Sequence, residues 1–128
     1  MLFKKSIKVP IYDCSVDLIL TDFPDDYIKK LYKTEGMEHD GSSYHGICLV
    51  GRKRNRYYVV VDFSRDFFNT VAHELRHCVD FILTDRGFAL KETDEAAAYL
   101  AGYLMSEVMK FVTNKNVPIQ WIVTKFII

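Results

Sequence analysis

The first half of the chain alternates apolar and polar residues with the period of two that is typical of β-strands. In the run Ser15–Thr21, every second position is Val or Leu. The pattern predicts four strands, at Ile7–Ile11, Ser15–Thr21, Tyr44–Gly51 and Tyr57–Phe63. Because only the polar turn RKRNR separates the last two strands, we expect them to form a hairpin.

Three helices are predicted by their start and stop signals. The segment that begins at Pro24 has an acidic first turn and a basic later turn, and it ends at Gly36. A longer helix is expected over about residues 65–85, with Gly87 after it in the left-handed conformation that ends many helices. Another is expected over about residues 93–113, and the threonine at its start can cap it.

The order of these elements predicts a single α+β domain over residues 1–128, in which a small mixed sheet is followed by two long helices. The final stretch, Asn116–Ile128, is apolar and fits two structures. Pro118 could occupy the first turn of a helix, or the apolar residues could alternate along a strand. Its role stays open at this point.

Composition and charge narrow the classes of function. The chain is 49% hydrophobic and its 17 basic residues balance 17 acidic ones, so we expect a folded domain without a general attraction to nucleic acid or to an anionic membrane. The first ten residues do not resemble a signal peptide, and no apolar run approaches the roughly 20 residues that span a bilayer. Three cysteines without CxxC spacing suggest free thiols and a cytoplasmic protein. The one basic cluster is interpreted as a solvated hairpin tip, with a phosphate contact as the alternative: Arg52, Lys53, Arg54 and Arg56.

The run HELRH carries the clearest chemistry. His73 and His77 are four residues apart, so a helix places both imidazoles on one face, where they can bind one ion at about 2.0–2.1 Å. Glu74 is rotated by about 100° from His73 and can reach a water on that ion without being a ligand. The competing interpretation is an ordinary polar helix face. However, the flanking residues are apolar, and burying these groups without partners would cost several kcal/mol, roughly. The run therefore predicts a zinc site with Glu74 as general base.

The same run resembles the zincin metallopeptidases, and most closely the gluzincin-like group, in which a following helix supplies a glutamate. Glu95 with Ala98, in TDEAAAYLAGYL, looks like the Glu-x-x-Ala pattern of small peptidases from phages and mobile elements. The resemblance covers roughly Tyr57–Met105. It implies a minimal zincin-like domain with an active-site helix, a glutamate-bearing helix, a zinc ion and Glu95 as the third protein ligand.

Other residues compete for that third position. Three nearby acidic residues are alternatives to Glu95: Glu92, Asp94 and Asp80. Asp80 follows His77 by three residues, so it could instead accept a hydrogen bond from a ligand imidazole. His39 and His45 each stand alone in a predicted loop or strand and are weaker candidates.

A peptidase of this kind also needs a group that stabilises the oxyanion and a place for an extended substrate. Tyr99, one helical turn after Glu95, is the residue predicted for the oxyanion, although aromatic residues at helical spacing more often pack in a core. Tyr103, Tyr44 and His45 are its alternatives. One strand of the predicted hairpin is expected to pair with the substrate backbone, and the pattern does not say which strand.

Together, these expectations predict that the protein hydrolyses peptide bonds with a metal-activated water and that its substrate is a peptide or protein. A non-catalytic zinc-binding module that recognises a protein partner is the alternative, and a helical scaffold without metal is a third hypothesis. A structural zinc site usually closes all four positions with protein ligands and has no use for Glu74, which favours the enzyme.

Overall fold

The computed structural model describes residues 1–89 and 94–119. The elements in chain order are β1 (Leu2–Val9), β2 (Cys14–Thr21), α1 (Pro24–Thr34), β3 (Gly46–Val50), β4 (Arg56–Asp62), α2 (Phe67–Asp85) and α3 (Asp94–Asn114). The strand order is β1-β2-β4-β3. The pairs β1–β2 and β3–β4 are antiparallel and β2–β4 is parallel. This four-stranded mixed sheet with helices confirms the predicted α+β class and the predicted hairpin.

The sheet separates two apolar clusters. On one face, Ile28 and Leu31 of α1 pack on Ile19, Leu49 and Val60. On the other face, α2 and α3 bury a larger cluster drawn from β1, β2 and β4. The central strands β2 and β4 are therefore covered on both faces, which is why they are nearly continuous runs of apolar residues.

The two long helices lie side by side on the sheet. α2 contacts β3 and β4, whereas α3 contacts α2 and β1. The hydroxyl of Tyr103 in α3 donates a hydrogen bond to the Lys8 carbonyl of β1 over 2.8 Å. Because α2 lies on the β3 side, its residues reach the edge of the sheet that β3 forms. None of the described helices is long and apolar enough to cross a membrane.

The first strand differs from its prediction, since it spans Leu2–Val9 rather than Ile7–Ile11. Lysines at positions 4, 5 and 8 interrupt the apolar pattern of this strand. They are tolerated because β1 borders only β2 among the described strands and exposes much of its surface to solvent. Pro10 cannot donate a hydrogen bond to the ladder, and Asp13 has a φ of 49° in the turn before β2. The turn therefore starts two residues earlier than the apolar pattern suggests.

The helix ends are closer to their predictions. α2 begins at Phe67, two residues late, because Asp66 adopts a left-handed φ of 42° immediately before it. Gly87 has a φ of 87°, which confirms the predicted left-handed ending. The predicted capping threonine, Thr93, and residues 120–128 of the ambiguous final stretch lie outside the described residues.

Candidate metal centre

The two histidines of HELRH lie one turn apart on α2 with their rings facing each other. The Nε2 atoms of His73 and His77 are 3.1 Å apart, and both side chains are exposed. Two nitrogens that bind one tetrahedral ion at about 2.0–2.1 Å are separated by roughly 3.3 Å. The observed separation is close to that value, so the two imidazoles fit a shared divalent cation.

Glu74 completes a compact group with the two histidines. One ligand atom from each of the three residues lies within 4.8 Å of the other two, and within residues 1–89 and 94–119 no other group of three or more His, Cys, Asp or Glu residues meets that spacing. The Glu74 side chain is 9% exposed. This burial raises the pKa of the carboxyl group, while the charges of His73 and His77 and a hydrogen bond from the Cys48 backbone N–H oppose the rise.

The pattern of α2 explains why these side chains project as they do. Its apolar residues bury one side of the helix against the sheet, and Cys78, directly after His77, is among them. The histidines occupy the opposite, exposed side, where the Phe81 ring stacks on His77 at a centroid distance of 6.4 Å. Asp80 pairs with Arg76, with 3.4 Å between Oδ1 and Nη2. Asp80 is therefore engaged by a neighbouring arginine and is not part of the group.

β3 borders the site with one side of its backbone open. The Asp62 N–H donates to the His45 carbonyl, and the Gly51 N–H donates to the Arg56 carbonyl, both over 2.8 Å. In an antiparallel pair, backbone groups point alternately towards the partner strand and away from it. The odd-numbered residues from 45 to 51 therefore face β4. The backbone groups of Gly46, Cys48 and Val50 point outward, where no described strand pairs with them.

Glu95, predicted as the third ligand, lies apart from this group. It is exposed on α3, whereas Ala97, two residues later and about 200° around the helix, is buried. Among the other acidic candidates, Glu92 lies outside the described residues, and Asp94 is the first residue of α3. The assignment of a third ligand stays a prediction.

Tyr99, predicted for the oxyanion, is 78% exposed and lies beside the β1–β2 turn. It lines a largely apolar groove of about 310 Å³ with neighbours that include Ile11 and Tyr103. This groove adjoins β1, whereas the histidines lie on the helix that packs against β3. Among the alternatives, Tyr44 and His45 directly precede the strand that contacts Glu74. Tyr44 itself packs in the apolar cluster against α1, on the other face of the sheet from α2, and both residues line a cavity with Asp25 of α1.

Comparison of the chain with protein-family models, curated proteins and solved structures finds no match in any of the three. The interpretation of the site therefore depends on its own geometry and chemistry.

Proposed function

We propose that the protein is a zinc-dependent peptidase in which His73 and His77 bind the ion and Glu74 is the general base. The observation that carries this proposal is the convergence of two imidazole nitrogens and one buried carboxylate within 4.8 Å. This arrangement supports a hydrolase, because two imidazoles can bind the metal while the neighbouring carboxylate acts as the base.

Each side chain has a distinct part in the proposed reaction. Zinc bound by the imidazoles would polarise the substrate carbonyl and lower the pKa of a water molecule towards about 7. Glu74 takes a proton during the attack on the carbonyl carbon and delivers it to the leaving amine. The histidines bind the ion only when they are neutral, so hydrolysis is expected to fall as acid protonates them.

The outward backbone groups of β3 favour an extended peptide as the substrate. An added strand would pair with the outward groups of Gly46 and Val50 and with the Cys48 carbonyl, since these residues point away from β4 and the Cys48 N–H is directed at Glu74. Glu74 contacts β3 at its start, so the scissile bond would lie near Gly46. This assigns to β3 the substrate edge that the sequence left open between the two hairpin strands.

We keep Glu95 as the proposed third ligand, and its exposed position adds a condition. For its carboxylate to join His73 and His77, the Glu95 side chain or the first turn of α3 must change its position when zinc binds. A water molecule would fill the fourth position, as in catalytic zinc sites.

The decisive experiment measures the hydrolysis of unfolded casein by the zinc-loaded wild-type protein and by the zinc-loaded variant Glu74→Gln. The variant is expected to lose at least about 100-fold in hydrolysis, because it lacks the base, and to retain its zinc stoichiometry. The double variant His73→Ala/His77→Ala is expected to lose both. Full hydrolysis by Glu74→Gln would rule out the assigned mechanism.

A non-catalytic zinc module that binds a protein partner through β3 is the second candidate. It is favoured by the outward edge of β3, which can pair with a strand of a partner whether or not hydrolysis follows. X-ray absorption of the zinc-loaded protein separates the two functions by counting protein ligands. Four protein ligands with no hydrolysis would support the module, and three with an oxygen from water would support the peptidase.

A further inference from the structure

Gly46, the first residue of β3, lies directly against the helix that carries the candidate metal centre. A Cβ built at this position would be 2.6 Å from Cγ2 of Thr70, 3.2 Å from Cγ of Glu74 and 3.3 Å from Oε2 of Glu74. The first distance is shorter than a real Cβ contact, and the other two are tight. Any side chain at position 46 would therefore have to displace Thr70, Glu74 or the strand itself.

The need for glycine here is one of space. The described glycines with positive φ are Gly36, Gly41 and Gly87, so Gly46 has a backbone conformation that other residues can adopt. Glycine inside a strand often marks a close approach of another group, and here the approaching groups are the side chains of Thr70 and Glu74.

Cys48, the next residue of β3 whose backbone points outward, contacts the carboxylate end of the Glu74 side chain. The backbone N–H of Cys48 is directed towards the Glu74 carboxylate and favours its ionised form. Residues two apart in a strand are separated by roughly 6.6 Å. β3 thus contacts Glu74 at two points, with a backbone that leaves room at Gly46 and a donor at Cys48. Such a two-point contact fixes the direction of the carboxylate relative to His73 and His77.

We infer that Gly46 is a positioning residue for Glu74, because the missing side chain lets β3 approach α2 closely enough to hold the carboxylate beside the two histidines. This inference rests on the proposed role of Glu74 as the base. Gly46 itself touches neither substrate nor metal through a side chain, so its effect on hydrolysis passes through Glu74.

Thr70 provides a way to separate this effect from a general clash. Thr70→Ser removes the Cγ2 atom that a Cβ at position 46 would meet first, which leaves Glu74 as the remaining obstacle. In the Thr70→Ser background, Gly46→Ala is expected to lower kcat on casein roughly tenfold or more. KM and zinc affinity should change less than about twofold, since the zinc-binding histidines are not displaced. Thr70→Ser alone should keep the wild-type rate within about twofold.

Gly102 supplies a matched control for the same substitution. It lies in α3, and a Cβ there would meet nothing within 4 Å. Gly102→Ala is therefore expected to leave kcat within about twofold of the wild-type value. Equal kcat for Gly46→Ala/Thr70→Ser and Thr70→Ser would overturn the inference, and so would equal losses for Gly46→Ala and Gly102→Ala.

A second measurement needs no activity and keeps the inference testable if the proposed function fails. In the metal-free protein, Gly46→Ala in the Thr70→Ser background should shift the unfolding equilibrium constant roughly tenfold towards the unfolded state. With Glu74→Ala also present, the shift should shrink to about twofold or less, because the space is then free. If the two effects add without coupling, Gly46 does not position Glu74. If the wild type binds zinc without hydrolysis, the proposed function fails, and this coupling alone decides the inference.

Discussion

At the scale of single residues, Glu74 is a carboxylate whose burial lowers the stability of the folded state. The residue is largely buried, and burial raises the pKa of its carboxyl group. An ionised carboxylate in such a place destabilises the folded state relative to a neutral group of the same shape. Residues that serve a reaction are often retained at the expense of stability, and the proposed base has this property.

Glu74→Gln is therefore expected to stabilise the metal-free protein at neutral pH. A carboxyl whose pKa is higher in the folded state favours folding below its unfolded pKa and loses that contribution as pH rises through the folded pKa. The glutamine carries no such charge, so its advantage should appear above the folded pKa and vanish below about pH 4. Melting temperatures measured between pH 3 and pH 8, roughly, should show a rise of a few degrees at neutral pH. An unchanged or lower melting temperature at neutral pH would contradict this account.

The sequence predicts some of these residues and misses others for a physical reason. His73, Glu74 and His77 lie within one helical turn, so the period of the helix alone brings them together. Gly46 is 28 residues before Glu74, and its role arises only from the approach of β3 to α2. A glycine in an apolar strand pattern signals close contact without naming the partner. Glu95 was predicted from its spacing along the chain, but helical spacing does not indicate which face of α3 lies towards α2.

At the scale of secondary-structure elements, a polar network fixes the end of α2. The Tyr57 hydroxyl donates to Oδ2 of Asp85 over 2.6 Å, and Nη1 of Arg86 donates to the Tyr57 oxygen over 2.8 Å. Nε of Arg86 also donates to the Tyr12 carbonyl over 2.8 Å. Arg54, from the basic turn that the sequence suggested to be solvated, pairs with Asp85 over 2.7 Å. The end of α2 is thereby joined to the hairpin and to the β1–β2 turn.

Arg86→Ala is expected to destabilise the protein more than Tyr57→Phe. The arginine connects two segments through charge-assisted hydrogen bonds, and its removal should cost about 2 kcal/mol, against about 1 kcal/mol for the lost hydroxyl. Urea unfolding measures both losses of unfolding free energy, provided that this free energy falls with urea at the same slope in each variant. Arg65→Ala is the control, since that exposed arginine makes one loose pair with Asp62 at 3.8 Å and should change stability by less than about 0.5 kcal/mol. If Arg86→Ala behaves like the control, the network does not hold the end of α2.

The loop that leads into β3 is held by the first turn of α1. Asp25 accepts hydrogen bonds from the Ser43 hydroxyl over 2.6 Å and from the Tyr44 N–H over 2.9 Å. These bonds lower the pKa of Asp25. Their contribution to stability is therefore present above the unfolded pKa and is lost as pH falls through the folded pKa.

Asp25→Ala is expected to loosen the start of β3 with only a small loss of global stability, because the aspartate is near the surface. Hydrogen exchange at Tyr44 and the following residues should accelerate about threefold to tenfold at neutral pH. Asp26→Ala, at the exposed neighbouring position, is the matched control and should leave that exchange unchanged. Equal exchange in both variants would show that another contact holds the loop.

The elements themselves are largely readable from the sequence, whereas their arrangement is not. The period of two identifies β2, β3 and β4, and the helix signals locate α1, α2 and α3 within a few residues. The parallel pairing of β2 with β4 places β3 at an edge, and that order depends on how α1 crosses the sheet. Local patterns carry no information about such a crossover, so the strand beside the site could not be chosen in advance.

At the scale of the whole molecule, the candidate centre depends on the packing of two long helices on one sheet. α2 provides both imidazoles, while α3 lies on its far side towards β1. Zinc that binds the folded state and not the unfolded chain must stabilise the protein by mass action. At a free concentration of 100 times the dissociation constant, the gain is about 2.7 kcal/mol.

Zinc should accordingly raise the melting temperature of the wild type and leave that of His73→Ala/His77→Ala unchanged. The gain should disappear with a chelator and decline as the solution is made acidic, because protonated imidazoles do not bind the ion. Glu95→Ala tests the third ligand, and it should reduce the gain partly if Glu95 closes the site. Because Glu95 lies on the exposed face of α3, its recruitment can also change the first turn of that helix, which hydrogen exchange at residues 95–98 would detect. If zinc protects α2 alone and Glu95→Ala keeps the full gain, Glu95 is not a ligand. Asp94→Ala and Glu92→Ala would then identify which acidic neighbour binds the ion.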